Sequence, residues 1–247
     1  MPIAKDFTAV FKKDWAIDFS QCYPNRGLKI PELANLLQLT AAKHAEMGGL
    51  GFFDLQEDNQ VWVMNRMRIE FYKWPEWLNK IEIKTWITEL KGAKSNRNFV
   101  VSSGGMPYIG VSSLWAIFNT TTRRPDVLLK DKSHIDVFPE LQATKELNQR
   151  LNLDFEPVDA LLYRVQFSDL DIVNHVNNTK YLEWCLNVVD PCYILDKKIR
   201  AIDVNFLKEL SLGDHIQIAK VMDANQIKFK ILKDGQLCFG CVITLNL

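Results

Sequence analysis

Apolar residues recur along this chain at two different spacings, and each spacing predicts a different kind of element. In residues 31–48, leucine and alanine recur three and four positions apart, which predicts a helix that starts at Pro31 and ends at Gly48. Residues 181–188 carry a second apolar helix face, and the Asp-Pro pair that follows ends it. Two apolar helices are therefore expected, one in each half of the chain.

Strict alternation of apolar and polar residues follows each helix and predicts β-strands. The segments are bounded by glycine, asparagine and aspartate, which is typical of hairpins in an antiparallel sheet. One apolar helix for about five strands favours an α+β fold in which a sheet curls around each helix. The two sheets are then expected to join edge to edge within one chain.

The chain also repeats itself, since three short segments of the first half recur in the same order in the second half. The segment pairs are residues 17–20 with 165–168, 69–83 with 204–218, and 115–117 with 241–243. The shifts differ (148, 135 and 126 positions), as expected where loops differ in length between two copies. Three matches in one order indicate two copies of one unit.

The repeat predicts three segments, which are an N-terminal unit, a linker and a C-terminal unit. They cover residues 1–130, 131–157 and 158–247, and the linker is charged and irregular. Within the linker, residues 145–152 are expected to form a short connecting helix.

Composition excludes several classes of protein. The 247 residues hold 30 basic and 30 acidic side chains, so no overall charge favours nucleic acid or an anionic membrane. No apolar run approaches the roughly 20 residues of a membrane span, and no apolar signal region follows the first residue. Five cysteines, an odd and sparse set, indicate free thiols in the cytoplasm. The Cys238 and Cys241 pair lies in a strand pattern and is expected to be structural, so no metal site is predicted.

Candidate chemistry appears where the two copies differ. Three positions carry ionisable residues in the second copy and aromatic residues or glycine in the first. The pairs are Asp171 with Tyr23, His175 with Gly27, and Glu209 with Trp74. Positions that serve the fold should agree between copies, so this difference favours a single chemical site in the second half.

The surrounding sequence suits proton transfer and stabilisation of an oxyanion. His175 lies just before the second helix, and a histidine can move a proton near neutral pH. The backbone N–H groups of Val176, Asn177 and Asn178 at the helix start are candidate donors to an oxyanion. A structural interpretation stays open at this point, because asparagines before a helix commonly act as caps.

Together these motifs resemble the acyl-ACP thioesterases of plants and bacteria. The residues that carry the resemblance are Asp171, the run 175–178, Tyr181 and Trp184, with residues 62–70, 75–77, 85 and 86 in the first half. The resemblance spans most of the chain. It implies a double hotdog fold, in which an antiparallel sheet wraps each long helix. It also implies hydrolysis of the thioester between a fatty acyl chain and acyl carrier protein.

The resemblance assigns the catalytic residues position by position. It places the family's Asp, His and Glu on Asp171, His175 and Glu209. The family's Asn falls on Val173, so Asn174 is the candidate substitute after a small loop shift. The plant proteins have a Cys where this chain has Leu210, so a cysteine nucleophile is not expected there. Either His175 or Glu209 is expected to act as the general base on water, without a metal or cofactor.

The resemblance also implies that the first half holds the acyl chain. Candidate lining residues are Leu36, Leu37, Met47, Phe52, Phe53, Trp62 and Met64, although each is individually compatible with a core position. Acyl carrier protein is acidic, so a local basic patch is expected from Lys91, Lys94 and Arg97 or from Arg123, Arg124, Lys130 and Lys132. A homodimer is one oligomeric state compatible with this organisation.

Two alternative functions stay open. An acyl-CoA thioesterase or hotdog hydratase would use another carrier or another reaction. A non-catalytic acyl-binding module is favoured by the departure at Val173. The chain contains no GxSxG, P-loop or GxGxxG motif, so serine hydrolase and nucleotide-binding functions are not indicated.

Overall fold

The alternating segments form one antiparallel sheet of eleven strands in the computed structural model, which describes residues 3–157 and 159–246. The strands of the first half are β1 Val10–Ala16, β2 Gln60–Phe71, β3 Lys80–Lys91, β4 Lys94–Ser103, β5 Met106–Asn119 and β6 Arg124–Pro125. Those of the second half are β7 Asp159–Arg164, β8 Ile199–Phe206, β9 His215–Asp223, β10 Gln226–Lys233 and β11 Gln236–Leu245.

Both predicted helices are present and pack against the sheet. They are α1 Ile30–Met47 and α3 Asn178–Asn187, and each is followed by a short helix, α2 Phe52–Gln56 and α4 Pro191–Leu195. Pro31 lies in the first turn of α1, where its missing N–H leaves no hydrogen bond unmade, and Gly48 caps the end. The Asp-Pro pair predicted to end the second helix begins the short helix α4. The Asp190 side chain caps α4 by accepting a hydrogen bond from the Cys192 N–H.

The strand order confirms the repeat. The strands run β1-β3-β4-β5-β2 and continue β8-β11-β10-β9-β7, so the second half repeats the first in reverse across the junction of β2 with β8. Each half therefore contributes five equivalent strands and one long helix. The boundaries predicted at residues 130 and 157 stay predictions, and residues 1, 2, 158 and 247 lie outside the described residues.

One of the three sequence matches was out of register. Val111 of β5 pairs with Ile69, and Cys241 of β11 pairs with Val204. Since Ile69 and Val204 are equivalent, Val111 rather than Trp115 corresponds to Cys241. The sequence match was wrong by four positions here, because short apolar strand segments look alike in several registers.

The two halves meet at a buried ion pair. Arg68 of β2 lies directly opposite Asp203 of β8, and its Nη1 is 2.5 Å from Asp203 Oδ2. Arg68 also binds Glu70 at 2.9 Å and Glu146 at 2.9 Å. Burial raises the pKa of Asp203, and the Arg68 guanidinium opposes that rise. Both residues of the pair are almost fully buried, so removal of Arg68 would leave the buried Asp203 carboxylate without its charged partner.

The linker lies across the outer face of the sheet as an extended segment, here called the strap (residues 138–155). The short helix predicted at residues 145–152 is wrong, since these residues are irregular. Side chains of the sheet bind the strap backbone instead. The N–H groups of Lys145 and Glu146 donate to Glu70 at 2.8 and 3.2 Å, and that of Leu151 donates to Asn205 at 2.9 Å. These tertiary hydrogen bonds replace those a helix would make.

Two equivalent glycines let the strap approach the sheet. A methyl group at Gly110 of β5 would overlap the backbone carbonyl of Ala143. A methyl group at Gly240 of β11 would instead meet the end of the Leu153 side chain. The absence of a Cβ at these positions allows close backbone packing.

Arg97, expected in a surface basic patch, is buried, so that expectation is wrong. Its Nη1 lies 2.9 Å from His44 Nδ1 and 3.2 Å from Thr85 Oγ1. His44 stacks between Phe7 and Phe11, and its Nε2 lies 2.9 Å from the Thr8 carbonyl oxygen. Burial, aided by the Arg97 charge, lowers the pKa of His44 to about 4. Burial lowers the pKa of Arg97 to about 10.

Replacing the two strap glycines should separate a backbone clash from a side-chain clash. Gly110→Ala should lower the free energy of unfolding by about 1–3 kcal/mol, because the Ala143 carbonyl cannot rotate away. Gly240→Ala is the matched control and should cost less, because the Leu153 side chain can change rotamer. Chemical denaturation measures both, and an equal loss in the two variants would contradict this account.

His44 should make stability depend on pH in a defined window. An unfolded histidine titrates near its ordinary pKa of 6.5, whereas folded His44 titrates at about 4. Between these values only the unfolded state gains the proton, so stability is full above pH 6.5 and falls as pH drops towards 4, by about 3 kcal/mol. His44→Gln should flatten this slope in urea denaturation from pH 4 to 7. Parallel curves for wild type and variant would refute the assignment.

Candidate active site

A tight loop presents His175 just before α3. The Asp171 N–H donates to the His175 carbonyl at 2.8 Å, and the Asn174 N–H donates to the Asp171 carbonyl at 3.0 Å. Asn174 has a φ of 63°, in the left-handed region that asparagine tolerates better than most residues. Its exposed side chain makes no hydrogen bond to another described residue, so its visible contribution is the backbone turn.

The first half contains the same loop with different side chains. The Tyr23 N–H donates to the Gly27 carbonyl at 2.8 Å, and Arg26 has a φ of 68°. Gly27 faces Trp74, whose ring would lie 3.0 Å from an added Cβ. The Trp74 indole N–H donates to the Leu28 carbonyl at 2.9 Å. An indole therefore fills, in the first half, the position that His175 and Glu209 occupy in the second.

Two hydrogen bonds to Leu210 hold the segment that carries Glu209. The Leu210 N–H donates to the Tyr181 hydroxyl of α3 at 3.0 Å, and its carbonyl accepts from the Val176 N–H at 2.9 Å. Burial is the main cause that raises the pKa of Tyr181, so its hydroxyl stays protonated. The loop, the helix and the segment after β8 are thereby fixed to one another.

This arrangement brings the two side chains together. His175 Nε2 lies 3.6 Å from Glu209 Oε2, and the side chains are 33% and 34% exposed. That distance is longer than a direct hydrogen bond. About a third of each side chain is open to solvent, so water can reach the pair. Such a pair can exchange a proton with water.

Arg123, from the turn between β5 and β6 of the first half, also contacts Glu209. Its Nη2 lies 2.5 Å from the same Oε2 atom that faces His175. Arg123 was expected only in a basic patch. No local sequence signal links it to Glu209, because the two residues are 86 positions apart and belong to different units.

Asp171 acts on the loop that carries His175. Its Oδ1 accepts hydrogen bonds from the Val173 N–H at 3.0 Å and from the His175 N–H at 3.3 Å. The equivalent loop keeps its backbone bonds with Tyr23 at this position. There the Gly27 N–H, the equivalent of the His175 N–H, donates to the Asn25 side chain at 3.0 Å. Each loop therefore has one side-chain acceptor, and in the second half it is the charged Asp171.

Two of the three expected oxyanion donors already donate their backbone N–H groups to other described residues. The Val176 N–H donates to Leu210, and the Asn177 N–H donates to the Asp169 carbonyl at 2.9 Å. The Asn177 side chain caps α3 by accepting from the Thr179 N–H at 3.0 Å. The backbone N–H of Asn178, the first residue of α3, makes no hydrogen bond to a described group. Of the three N–H groups predicted to bind an oxyanion, that of Asn178 therefore stays the candidate donor.

The expected acyl-chain residues do not share one environment. Leu36, Leu37 and Met64 lie in the main core, and Trp62 packs against a smaller cluster of Leu50, Leu55, Ile117 and Leu128. Phe53 is 67% exposed, while Met47 and Phe52 are half-buried. Their role in binding an acyl chain stays a prediction.

The residues expected to form a basic patch also differ in their surroundings. Lys130 is held by Glu57 at 2.6 Å and Asp58 at 3.2 Å, so acidic neighbours offset its charge. Arg124 is exposed beside Arg123, whereas Lys132 is half-buried. The exposed Lys91 and Lys94 flank the turn between β3 and β4.

The described residues show neither a metal-ligand cluster nor a membrane-spanning helix. No three His, Cys, Asp or Glu side chains in residues 3–157 and 159–246 converge as a metal site requires. Over the same residues, no helix combines the length and apolarity needed to cross a bilayer. All five cysteines are free thiols.

Comparison with known families identifies the class of protein. Residues 8–135 match the acyl-ACP thioesterase N-terminal domain, and residues 155–240 match the acyl-ACP thioesterase C-terminal domain. The chain belongs to the acyl-ACP thioesterase family. Its fold is the hotdog fold of that family, present once in each half, as expected from the sequence.

Individual relatives agree with this assignment. The chain is 26% identical over 222 residues to a palmitoyl-acyl carrier protein thioesterase of Arabidopsis thaliana, covering 84% of this chain and 54% of that protein. It is 26% identical to oleoyl-acyl carrier protein thioesterase 1 of the same plant, covering 83% and 61%. The chain thus spans about half the length of the curated relatives it matches.

Solved structures resemble the whole chain. An acyl-ACP thioesterase from Bacteroides thetaiotaomicron superposes with a TM-score of 0.88 at 26% identity, covering 96% of this chain and 98% of that one. The 12:0-ACP thioesterase from Umbellularia californica superposes with a TM-score of 0.81 at 20% identity, covering 97% and 98%. The second likeness supports the fold alone.

Proposed function

We propose that this protein hydrolyses the thioester bond between a fatty acyl chain and acyl carrier protein, releasing the free fatty acid and the carrier protein thiol. The observation that carries the proposal is the pairing of His175 with Glu209 in one unit only. The equivalent position of the other unit is closed by Trp74 against Gly27. Membership of the acyl-ACP thioesterase family supports the same reaction.

The reaction begins with attack of water on the thioester carbonyl carbon. One water proton passes to the pair formed by His175 and Glu209 as the new C–O bond forms. The carbonyl oxygen becomes an oxyanion, and the proposed donor to it is the Asn178 N–H at the start of α3. The Asp171 carboxylate holds the loop that presents His175, through hydrogen bonds from the Val173 and His175 N–H groups.

Collapse of this intermediate breaks the C–S bond. The electron pair leaves with sulfur, and the proton held by the His175 and Glu209 pair returns to the thiolate. The carboxylic acid product then loses its own proton to solvent. A thiolate is a good leaving group, so the proposed mechanism uses no metal or cofactor.

The acyl chain is proposed to lie along the first unit. The Asn178 side chain donates to Gln38 of α1 at 3.3 Å, which joins the proposed oxyanion site to the first helix. Leu36 and Leu37 precede Gln38 in that helix. We propose that a chain attached to the reacting carbonyl extends from this contact towards α1.

We further propose a cytoplasmic location, which the five free cysteines support. Acyl carrier protein is the proposed partner, and the exposed Arg124, Lys91 and Lys94 suit its acidic surface. A homodimer stays a prediction, which sedimentation velocity can test.

Removing either member of the pair should abolish most turnover. His175→Ala and Glu209→Ala should each lower kcat by about 10²- to 10⁴-fold, because each removes a proton-transfer partner. Thiol release from acyl carrier protein thioesters of several chain lengths measures this effect. His215→Ala, a substitution of an exposed histidine on β9, is the control. Near wild-type thiol release by both variants would contradict the assignment of His175 and Glu209. If the wild-type protein binds fatty acid but releases no thiol, an acyl-binding module is favoured instead.

Reversing the charge of Arg124 should show whether this residue recognises the carrier protein rather than the acyl group. Arg124→Glu should raise KM for acyl carrier protein substrates by about tenfold, because like charges at a rim slow association. KM for a small acyl thioester that lacks the carrier should change little. Matched acyl-CoA and carrier-protein thioesters complete the comparison, and an equal change for every substrate would argue against a docking role.

A further inference from the structure

The carboxylate of Glu209 receives its shortest contact from the other half of the molecule. Arg123 Nη2, in the turn after β5, lies 2.5 Å from Glu209 Oε2, and His175 Nε2 lies 3.6 Å from the same oxygen. An ionised carboxylate can accept from several donors, so Arg123 and His175 can both act on this group. The first half therefore contributes a charged side chain to the site of the second.

Few other contacts fix the side chain of Glu209. It lies in the segment between β8 and β9, whose backbone is held where the Leu210 N–H donates to the Tyr181 hydroxyl at 3.0 Å. The Glu209 side chain is 34% exposed, and its Oε1 makes no hydrogen bond to a described residue. A long, partly exposed side chain of this kind has several rotamers open to it. Among the described contacts, the hydrogen bond from Arg123 is the one that selects where the carboxylate lies relative to His175.

The turn that presents Arg123 is itself held in place. The Arg123 N–H donates to the Asn119 carbonyl at 2.9 Å, and the guanidinium lies 5.4 Å from the centre of the Phe118 ring. At the start of the turn, the Thr120 N–H and hydroxyl both donate to the Asn59 carbonyl, at 2.8 and 3.1 Å. A turn tied to the sheet at both ends can hold a partner side chain in one place.

We propose that Arg123 is a positioning residue, which holds the Glu209 carboxylate beside His175 so that the pair can take a proton from water. This inference rests on the proposed thioester hydrolysis. It also separates Arg123 from the basic patch in which the sequence placed it. A residue that acts through Glu209 affects the chemical step, whereas a docking residue affects binding of the carrier protein alone.

Steady-state thiol release from two substrates tests the proposal, an acyl-pantetheine and the same acyl chain on acyl carrier protein. Arg123→Gln should lower kcat for both by about 10- to 100-fold and change KM little, because a misplaced proton-transfer group loses much of its effect. Arg123→Lys keeps the charge and a donor and should recover part of the loss. Arg150→Gln, a substitution of an exposed arginine in the strap, is the matched control and should behave as wild type.

A double variant shows whether Arg123 acts through Glu209. In a Glu209→Gln background, adding Arg123→Gln should lower the remaining kcat by less than about twofold, because the carboxylate that Arg123 positions is already gone. The melting temperature of Arg123→Gln should stay close to that of wild type, since an exposed ion pair contributes little to stability.

Three kinetic results would overturn the proposal. The first is a kcat of Arg123→Gln within about twofold of wild type on both substrates. The second is a rise in KM for the carrier-protein substrate alone, which would make Arg123 a docking residue. The third is a double variant in which the two losses multiply, because Arg123 would then act independently of Glu209.

A crystal structure of Arg123→Gln separates this inference from the proposed function. The Glu209 carboxylate should move away from His175 or occupy more than one rotamer. A single Glu209 conformer with Oε2 still 3.6 Å from His175 Nε2 would refute the positioning role. If wild type releases no thiol from any thioester, the proposed hydrolysis fails, while this measurement still decides whether Arg123 positions Glu209.

Discussion

The ion pair between Arg68 and Asp203 is the contact on which the two-unit architecture depends. These residues are equivalent in the repeat and lie opposite each other where β2 meets β8. In two identical units the same residue would face itself, and two buried like charges would repel. Divergence of the two copies places opposite charges at this point instead. Glu70 and the strap complete the cluster, so the junction of the sheets and the path of the linker depend on one another.

The same divergence explains why one molecule has one candidate site. Both units build the same loop before a helix, with a left-handed residue at the same position, Arg26 or Asn174. In the first unit Trp74 packs against Gly27 and closes the space. In the second, His175 and Glu209 leave it partly open to water. A duplicated frame therefore allows one copy to stabilise the fold while the other carries ionisable groups whose burial would be costly.

Local patterns predicted the repeated elements well because their causes are local. Helix α1 follows from its apolar spacing, its proline and its glycine cap, and the strands follow from alternation. Comparison of the two copies singles out Asp171, His175 and Glu209 by residue type alone. Prediction from sequence fails where residues far apart in the chain determine the conformation or burial of a segment. The strap is extended because Glu70 and Asn205 bind its backbone, and Arg97 is buried because His44 and Thr85 accept its hydrogen bonds.

The sequence by itself determined the α+β class, the duplication and the residue types that distinguish the second unit. Periodicity and internal comparison carry that information, since both depend on residues close in sequence or equivalent in the repeat. Only the tertiary structure decided that Arg68 meets Asp203, that Val176 and Asn177 already use their N–H groups, and that Arg123 reaches Glu209. The physical reason is common to all three. Each contact depends on the register and packing of segments that the fold brings together. No local sequence pattern encodes which partner a polar group will bind.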